Sequence, residues 1–176
     1  MRKLIEPQMK IGEIDIPSIQ FNVRSRDEIP KVLRGLQSIY KDPVARTRLF
    51  EQLERVVPQN VDMSKGRRGM DLWKIFVLAT LRLECNCDYD KLLELANEHR
   101  SLRLMLLHGK DDDFMYSLQT LKDNVSLLTD EVLDAINVIV VNHGHEVIGK
   151  KPDEELFGSC DSFPVFTDVH FLTYIN

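Results

Sequence analysis

The stretch that decides the fold is Asp71-Leu72-Trp73-Lys74-Ile75-Phe76-Val77-Leu78-Ala79-Thr80-Leu81-Arg82-Leu83. It holds no glycine or proline, and an aspartate stands where a helix N-cap belongs. Leu72, Trp73, Ile75, Phe76, Leu78, Ala79, Leu81 and Leu83 are spread around nearly the whole helical circumference. A helix apolar on almost every side is one that others surround, because a surface helix needs only one apolar stripe. Trp73 therefore reads as a core anchor rather than a platform for stacking bases. The chain is expected to be mainly α, a multi-helical body built around this segment.

Downstream, Asp88 or Asp90 starts a short helix through Leu92, Leu93, Leu95 and Ala96, and another follows at Leu102 to Leu107. Gly109 and Asp111-Asp112-Asp113 then break the pattern. Ser117 is placed to cap a helix carrying Leu118, Leu121, Val125 and Leu128. Its polar face is read as Gln119, Thr120, Lys122, Asn124 and Ser126. Thr129 opens a long helix through Val132, Leu133, Ile136, Ile139, Val140 and Val141, expected to stop near His143-Gly144 because glycine commonly ends helices.

Upstream, Ser25 or Asp27 is the candidate cap of a helix with Ile29, Val32, Leu33, Leu36 and Ile39 on one face. After Asp42-Pro43 a second helix is expected to bury Val44, Leu49, Phe50, Leu53 and Val56 and to end before Pro58. Residues 1–23 alternate weakly and hold Pro7 and Pro17, which suits an extended arm that docks on the body or pairs with a partner chain. The helical domain is bounded at 24–149. Residues 150–176 begin with the charged Lys150-Lys151-Pro152-Asp153-Glu154-Glu155 linker and end in Ser159 to Thr173, which reads as strand, kink at Pro164, strand.

Bulk properties narrow the class. At 176 residues and 43% hydrophobic content, the chain can bury one core, or one core plus a fragment. A net charge of −5 supplies no global attraction to nucleic acid, so any such contact must be local. Three cysteines and no signal-like N-terminus fit a reducing cytoplasm. The run from Ile75 to Thr80 falls far short of the ~20 residues that span a bilayer.

Three sets of residues invite a chemical reading. Lys65, Arg67 and Arg68, with Gly66 between, are the densest positive charge. They read either as a solvated loop or as a phosphate clamp beside a helix N-terminus. The two short helices before Ser117 to Leu128 suggest a helix-turn-helix-like arrangement with Gln119, Thr120, Lys122 and Asn124 on its recognition helix, since such side chains contact base edges and phosphates. Cys85 and Cys87 are too closely spaced for a usual structural zinc pair. His99, His143, His145 and Cys160 would complete a set only by coincidence of folding, so the cysteines read as small apolar groups.

Gly69 to Lys74, Cys85 to Leu92, Leu118 to Ser126, Cys160-Asp161-Ser162-Phe163 and Thr167 to Phe171 resemble the corresponding segments of bacterial insertion-sequence DDE transposases, in the not-classified-yet (ISNCY) group. The resemblance implies a helical domain that binds the terminal inverted repeats of a mobile element. It implies that residues 150–176 open an RNase H-like catalytic domain, with Asp161 as the first of three catalytic carboxylates that bind Mg²⁺. The full-length enzyme would cut element ends and join the freed 3′-hydroxyls to target DNA in a two-metal displacement. Phe166, Leu172 and Tyr174 stand where the family usually has glutamate, proline and aspartate. The expectation is a truncated copy, short of two of the three carboxylates and inactive alone, with no membrane or small-molecule partner. It would act on DNA as a homodimer or beside intact transposase. The other expectation is a non-catalytic helical module that binds DNA or protein, such as a regulator dimerising with intact transposase.

Overall fold

The computed structural model describes residues 15–22, 24–57, 69–109, 112–147 and 149. Among them the chain is mainly helical: α1 (Ile29–Lys41), α2 (Pro43–Glu54), α3 (Leu72–Glu84), α4 (Tyr89–Glu98), α5 (Arg100–Met105), α6 (Leu118–Val125) and α7 (Asp130–Val147). There is no strand among the described residues. The expected strand pair, with Asp161 and Asp168, lies outside them, as do Lys65, Arg67 and Arg68.

Helix α3 is the hub. From Leu72 to Leu81 every residue except Lys74 is buried, and α1, α2, α4 and α6 all pack against it. Trp73 is wholly enclosed, with Tyr40 and Phe50 set edge-on to its ring at 4.9 and 6.3 Å and Phe76 tilted at 5.8 Å. Its indole N–H donates to the Met105 carbonyl at 3.1 Å, so the one polar atom of the ring is satisfied inside the core. Leu83, expected in the core, is exposed: it faces out on the last turn of α3, while Leu81 in the same turn is buried.

Several helix ends have a local cause, although Asp71, at the N-cap position of α3, makes no side-chain capping hydrogen bond. Ser25 and Asp27 form consecutive side-chain turns before α1, and Asp27 accepts from the Ile29 N–H at 3.0 Å. Asp42 caps α2, its Oδ1 accepting from Val44 and Ala45 at 2.8 and 3.2 Å. Burial works to raise the Asp42 pKa, but these N–H groups and the neighbouring His143 outweigh it and hold the carboxyl below its ordinary value. Asp88 caps α4 through the Lys91 N–H at 2.8 Å. Val44, expected inside, is exposed, because α2 buries the stripe Ala45, Leu49 and Leu53 instead.

α3 and α5 close in the same way, with one residue in the left-handed region and the next N–H returning five residues. At α3 the residue is Asn86, with Cys87 N–H bonded to the Arg82 carbonyl. At α5 it is Leu107, with His108 N–H bonded to the Arg103 carbonyl. Asparagine enters that region readily; leucine does so at a cost of about 1–2 kcal/mol.

The segment before α1 docks on the body. Residues Ile16–Ser18 form a 3₁₀ turn, and Ile16 and Ile19 are buried. The buried amide of Gln37 donates to the carbonyls of Ile16 and Ile19 at 2.8 and 2.9 Å. At the other end α7 packs along α2 and runs through Gly144 to Val147, past the expected stop. The physical reason is His143: it is buried against α1 and the start of α2, which keeps the helix wound through the glycine.

Candidate nucleic-acid interface

The start of α6 is fixed by two devices. Ser117 Oγ accepts from the Thr120 N–H at 3.2 Å and meets Thr120 Oγ1 at 2.8 Å. One residue earlier, the Asn97 side chain on α4 takes both main-chain groups of Tyr116. Tyr116 N–H donates to Oδ1 at 2.8 Å, and Nδ2 donates to the Tyr116 carbonyl at 3.1 Å. This double bond pattern mimics a strand partner and sets α6 against α4, while Leu121 and Val125 pack into the core.

Of the four residues expected on the exposed face of α6, Gln119 and Lys122 are exposed and Thr120 is half-buried. Asn124 is not exposed. Its side chain is buried and its Nδ2 donates to the Thr120 carbonyl at 2.7 Å. The cause is its place on the i, i+3, i+4, i+7 stripe Leu121, Asn124, Val125, Leu128, which faces the core. Gln119 is held as well, its Nε2 donating to Asp123 Oδ1 at 2.6 Å.

Beside this face stands a group with no signal in the helical periodicity. The Tyr89 ring at the start of α4 has the Arg82 guanidinium 4.5 Å from its centroid and Lys122 Nζ at 6.0 Å. Three helices thus bring two cations to one aromatic ring, a contact worth about 0.5–1 kcal/mol at a surface. Arg82 Nε is buried with no hydrogen-bond partner, so the ring does much to hold that side chain. Acids temper the field: Asp123 lies on the same helix, and Lys91 is engaged with Glu94 at 3.0 Å.

A second cluster secures the connection from α5 to α6. His108 is buried with Nδ1 2.7 Å from Asp112 Oδ2 and Nε2 2.7 Å from the Tyr116 hydroxyl. Its ring stacks on Phe114 at 5.1 Å, with Tyr116 edge-on at 5.4 Å. Burial pushes the His108 pKa down, against the pull of Asp112, so the ring is neutral at pH 7. Asp112 accepts from Nδ1–H, which leaves Nε2 to accept from Tyr116. Burial also drives the Tyr116 phenol well above its ordinary value, so it stays a donor. Arg103 donates to the carbonyls of Asn97, Asp112 and Phe114. With Tyr116 enclosed and hydrogen-bonded to His108, the trio acts as a clasp on the connection from α5 to α6.

Cys85 and Cys87 are free thiols, half-buried at the end of α3. No family model matches the chain, and no curated protein or solved structure does either.

Proposed function

We propose that the chain is the DNA-binding portion of an insertion-sequence DDE transposase and binds the terminal inverted repeats of its element. The observation that carries this reading is the seating of α6: a short helix locked by Asn97 and Ser117, with Gln119 and Lys122 exposed beside the Arg82–Tyr89 pair. In it, α4 and α6 act as the helix-turn-helix-like pair. Gln119 is the base-edge contact, and Lys122 and Arg82 are phosphate contacts, joined by Lys65, Arg67 and Arg68. Asn124 and Thr120 serve as internal supports of that helix. Metal-dependent cleavage and joining belong in this reading to the full-length enzyme, to which Asp161 contributes one carboxylate of three.

The test is fluorescence anisotropy of the purified chain with the inverted repeat that flanks its gene and with random DNA, at two salt concentrations. Preference for the repeat, with affinity falling as salt rises, supports the proposal. Equal affinity for both DNAs removes α6 as a recognition helix. The net charge of −5 favours a second reading, a helical module that binds intact transposase, and absence of any DNA binding would leave that one standing.

A further inference from the structure

Where α7 crosses the corner between α1 and α2, three side chains with metal-binding donors converge. Asp42 comes from the corner, and His143 and Glu146 come from the last turns of α7. One donor atom of each lies within 4.8 Å of the other two. His143 and Glu146 are three residues apart on a helix, so both point the same way.

The histidine is what raises this above a chance cluster. It is only 6% exposed, and its Nδ1 is buried with no hydrogen-bond partner. A buried polar atom left so is uncommon and calls for a cause. Nδ1 does lie 3.3 Å from Asp42 Oδ2, but out of line for a hydrogen bond. The other ring nitrogen, Nε2, is 3.0 Å from Ser38 Oγ. With Nε2 engaged by Ser38, Nδ1 is the ring nitrogen open to a cation, and the Asp42 carboxylate stands beside it.

The distance fits that cation. With ligand bonds of roughly 2.0–2.2 Å, two donors on a tetrahedral zinc ion are about 3.3–3.5 Å apart. The separation of Asp42 Oδ2 and His143 Nδ1 is 3.3 Å. The second shell is also in place. Asp42 Oδ1 is engaged by two helix N–H groups, leaving Oδ2 free to ligate, and Ser38 orients the imidazole as metal-bound histidines require. Glu146 is exposed, with a carboxylate oxygen within 4.8 Å of both other donors.

We propose that Asp42, His143 and Glu146 bind one divalent cation of the zinc type, through one nitrogen and two carboxylate oxygens, leaving a coordination position open to water or an outside ligand. A buried imidazole nitrogen selects zinc, cobalt or nickel over magnesium and calcium, which prefer all-oxygen shells. It shares no residue with the carboxylate set that the proposed function assigns to magnesium. The ion joins the last turns of α7 to the α1–α2 corner. The half-buried cysteines compete poorly for it, since burial pushes the Cys85 thiol up to about 11.

The experiment is calorimetric titration of the metal-free full chain with Zn²⁺, beside Glu146→Gln, Ser38→Ala and His143→Gln. Cobalt loading, followed by absorption, reports the ligand type. One ion per chain is expected, with a cobalt spectrum free of any thiolate charge-transfer band. Glu146→Gln and Ser38→Ala should each weaken zinc by about tenfold or more. Glu146 is on the surface, so its variant should melt like the parent when metal-free, which separates ligand loss from misfolding should His143→Gln fold poorly. Unchanged zinc affinity in Glu146→Gln, or a thiolate band on cobalt, would overturn the site.

Discussion

Replacing Asn97 by alanine tests whether one side chain sets α6 in place. The substitution removes two hydrogen bonds, at 2.8 and 3.1 Å, and leaves the N–H and C=O of Tyr116 without those partners in a partly buried setting. Each orphaned group costs about 1–2 kcal/mol where water reaches it imperfectly. Alanine returns roughly 0.6 kcal/mol as the better helix former. The net expectation is a loss of ~1.5–3.5 kcal/mol in urea unfolding. Asn97→Asp sharpens the test, because it keeps the acceptor for Tyr116 N–H and sets an anion against the Tyr116 carbonyl. It should recover part of the loss at most. Amide exchange of the first turn of α6 supplies a local readout, and protection there should fall in both variants. A stability loss under ~0.5 kcal/mol in Asn97→Ala, with exchange in α6 unchanged, would refute the idea that this side chain positions the helix.

Four further outcomes are expected. Trp73→Ala should cost roughly 3–5 kcal/mol by emptying an enclosed aromatic site, and Trp73→Phe less; denaturant unfolding decides, and a loss below ~1 kcal/mol for alanine would contradict the core placement. Gly144→Ala should stabilise by ~0.4–1 kcal/mol, since the residue is helical and an added Cβ meets nothing within 4 Å, and a lower melting temperature would count against it. His108, depressed by burial, should titrate by NMR below the ordinary 6.5. The unfolded chain then binds the proton first, so this group's contribution to stability is complete above pH 6.5 and is lost as pH falls toward the folded pKa; a midpoint at or above 6.5 would reverse the sign. Replacing Arg82 and Lys122 together by alanine should weaken all DNA binding and flatten its salt dependence by up to ~0.9 log units per lost phosphate contact, while an unchanged slope would exclude both from the interface.

What could be read in the sequence was periodic. α1, α3 and α6 announce themselves because their apolar residues recur at helical spacing, and Trp73 follows from a segment apolar on every side. In α2 the apolar residues do not make one clean stripe, so composition points Val44 inward when it faces out. Asn124 shows the opposite slip. Its polarity suggested a surface, but it sits at i+3 from Leu121, and position outweighed chemistry once its amide found the Thr120 carbonyl. Gly144 reads as a stop because glycine lowers helix propensity by about 1 kcal/mol, yet His143 beside it is buried between helices distant in sequence. Contacts that join separate segments leave no local trace. That is why Asn97 with Tyr116, His108 with Asp112, and Asp42 with His143 emerge only from the fold. A helix-turn-helix-like arrangement rests in the sequence on helix order alone, and helix order does not fix crossing geometry.

The grip of Gln37 on the N-terminal segment has a consequence for how that segment can vary between related genes. Its amide reads carbonyl oxygens, and every residue type at positions 16 to 19 presents the same oxygen. What the fold demands of the segment is therefore two apolar side chains, at Ile16 and Ile19, and a backbone able to make the turn. Ser18 and Gln20 can drift with little penalty. Gln37 cannot, since a glutamate there would offer oxygens to oxygens. The polar half of the attachment rests on one codon in α1, and apart from the two apolar positions the sequence it reads is left nearly free.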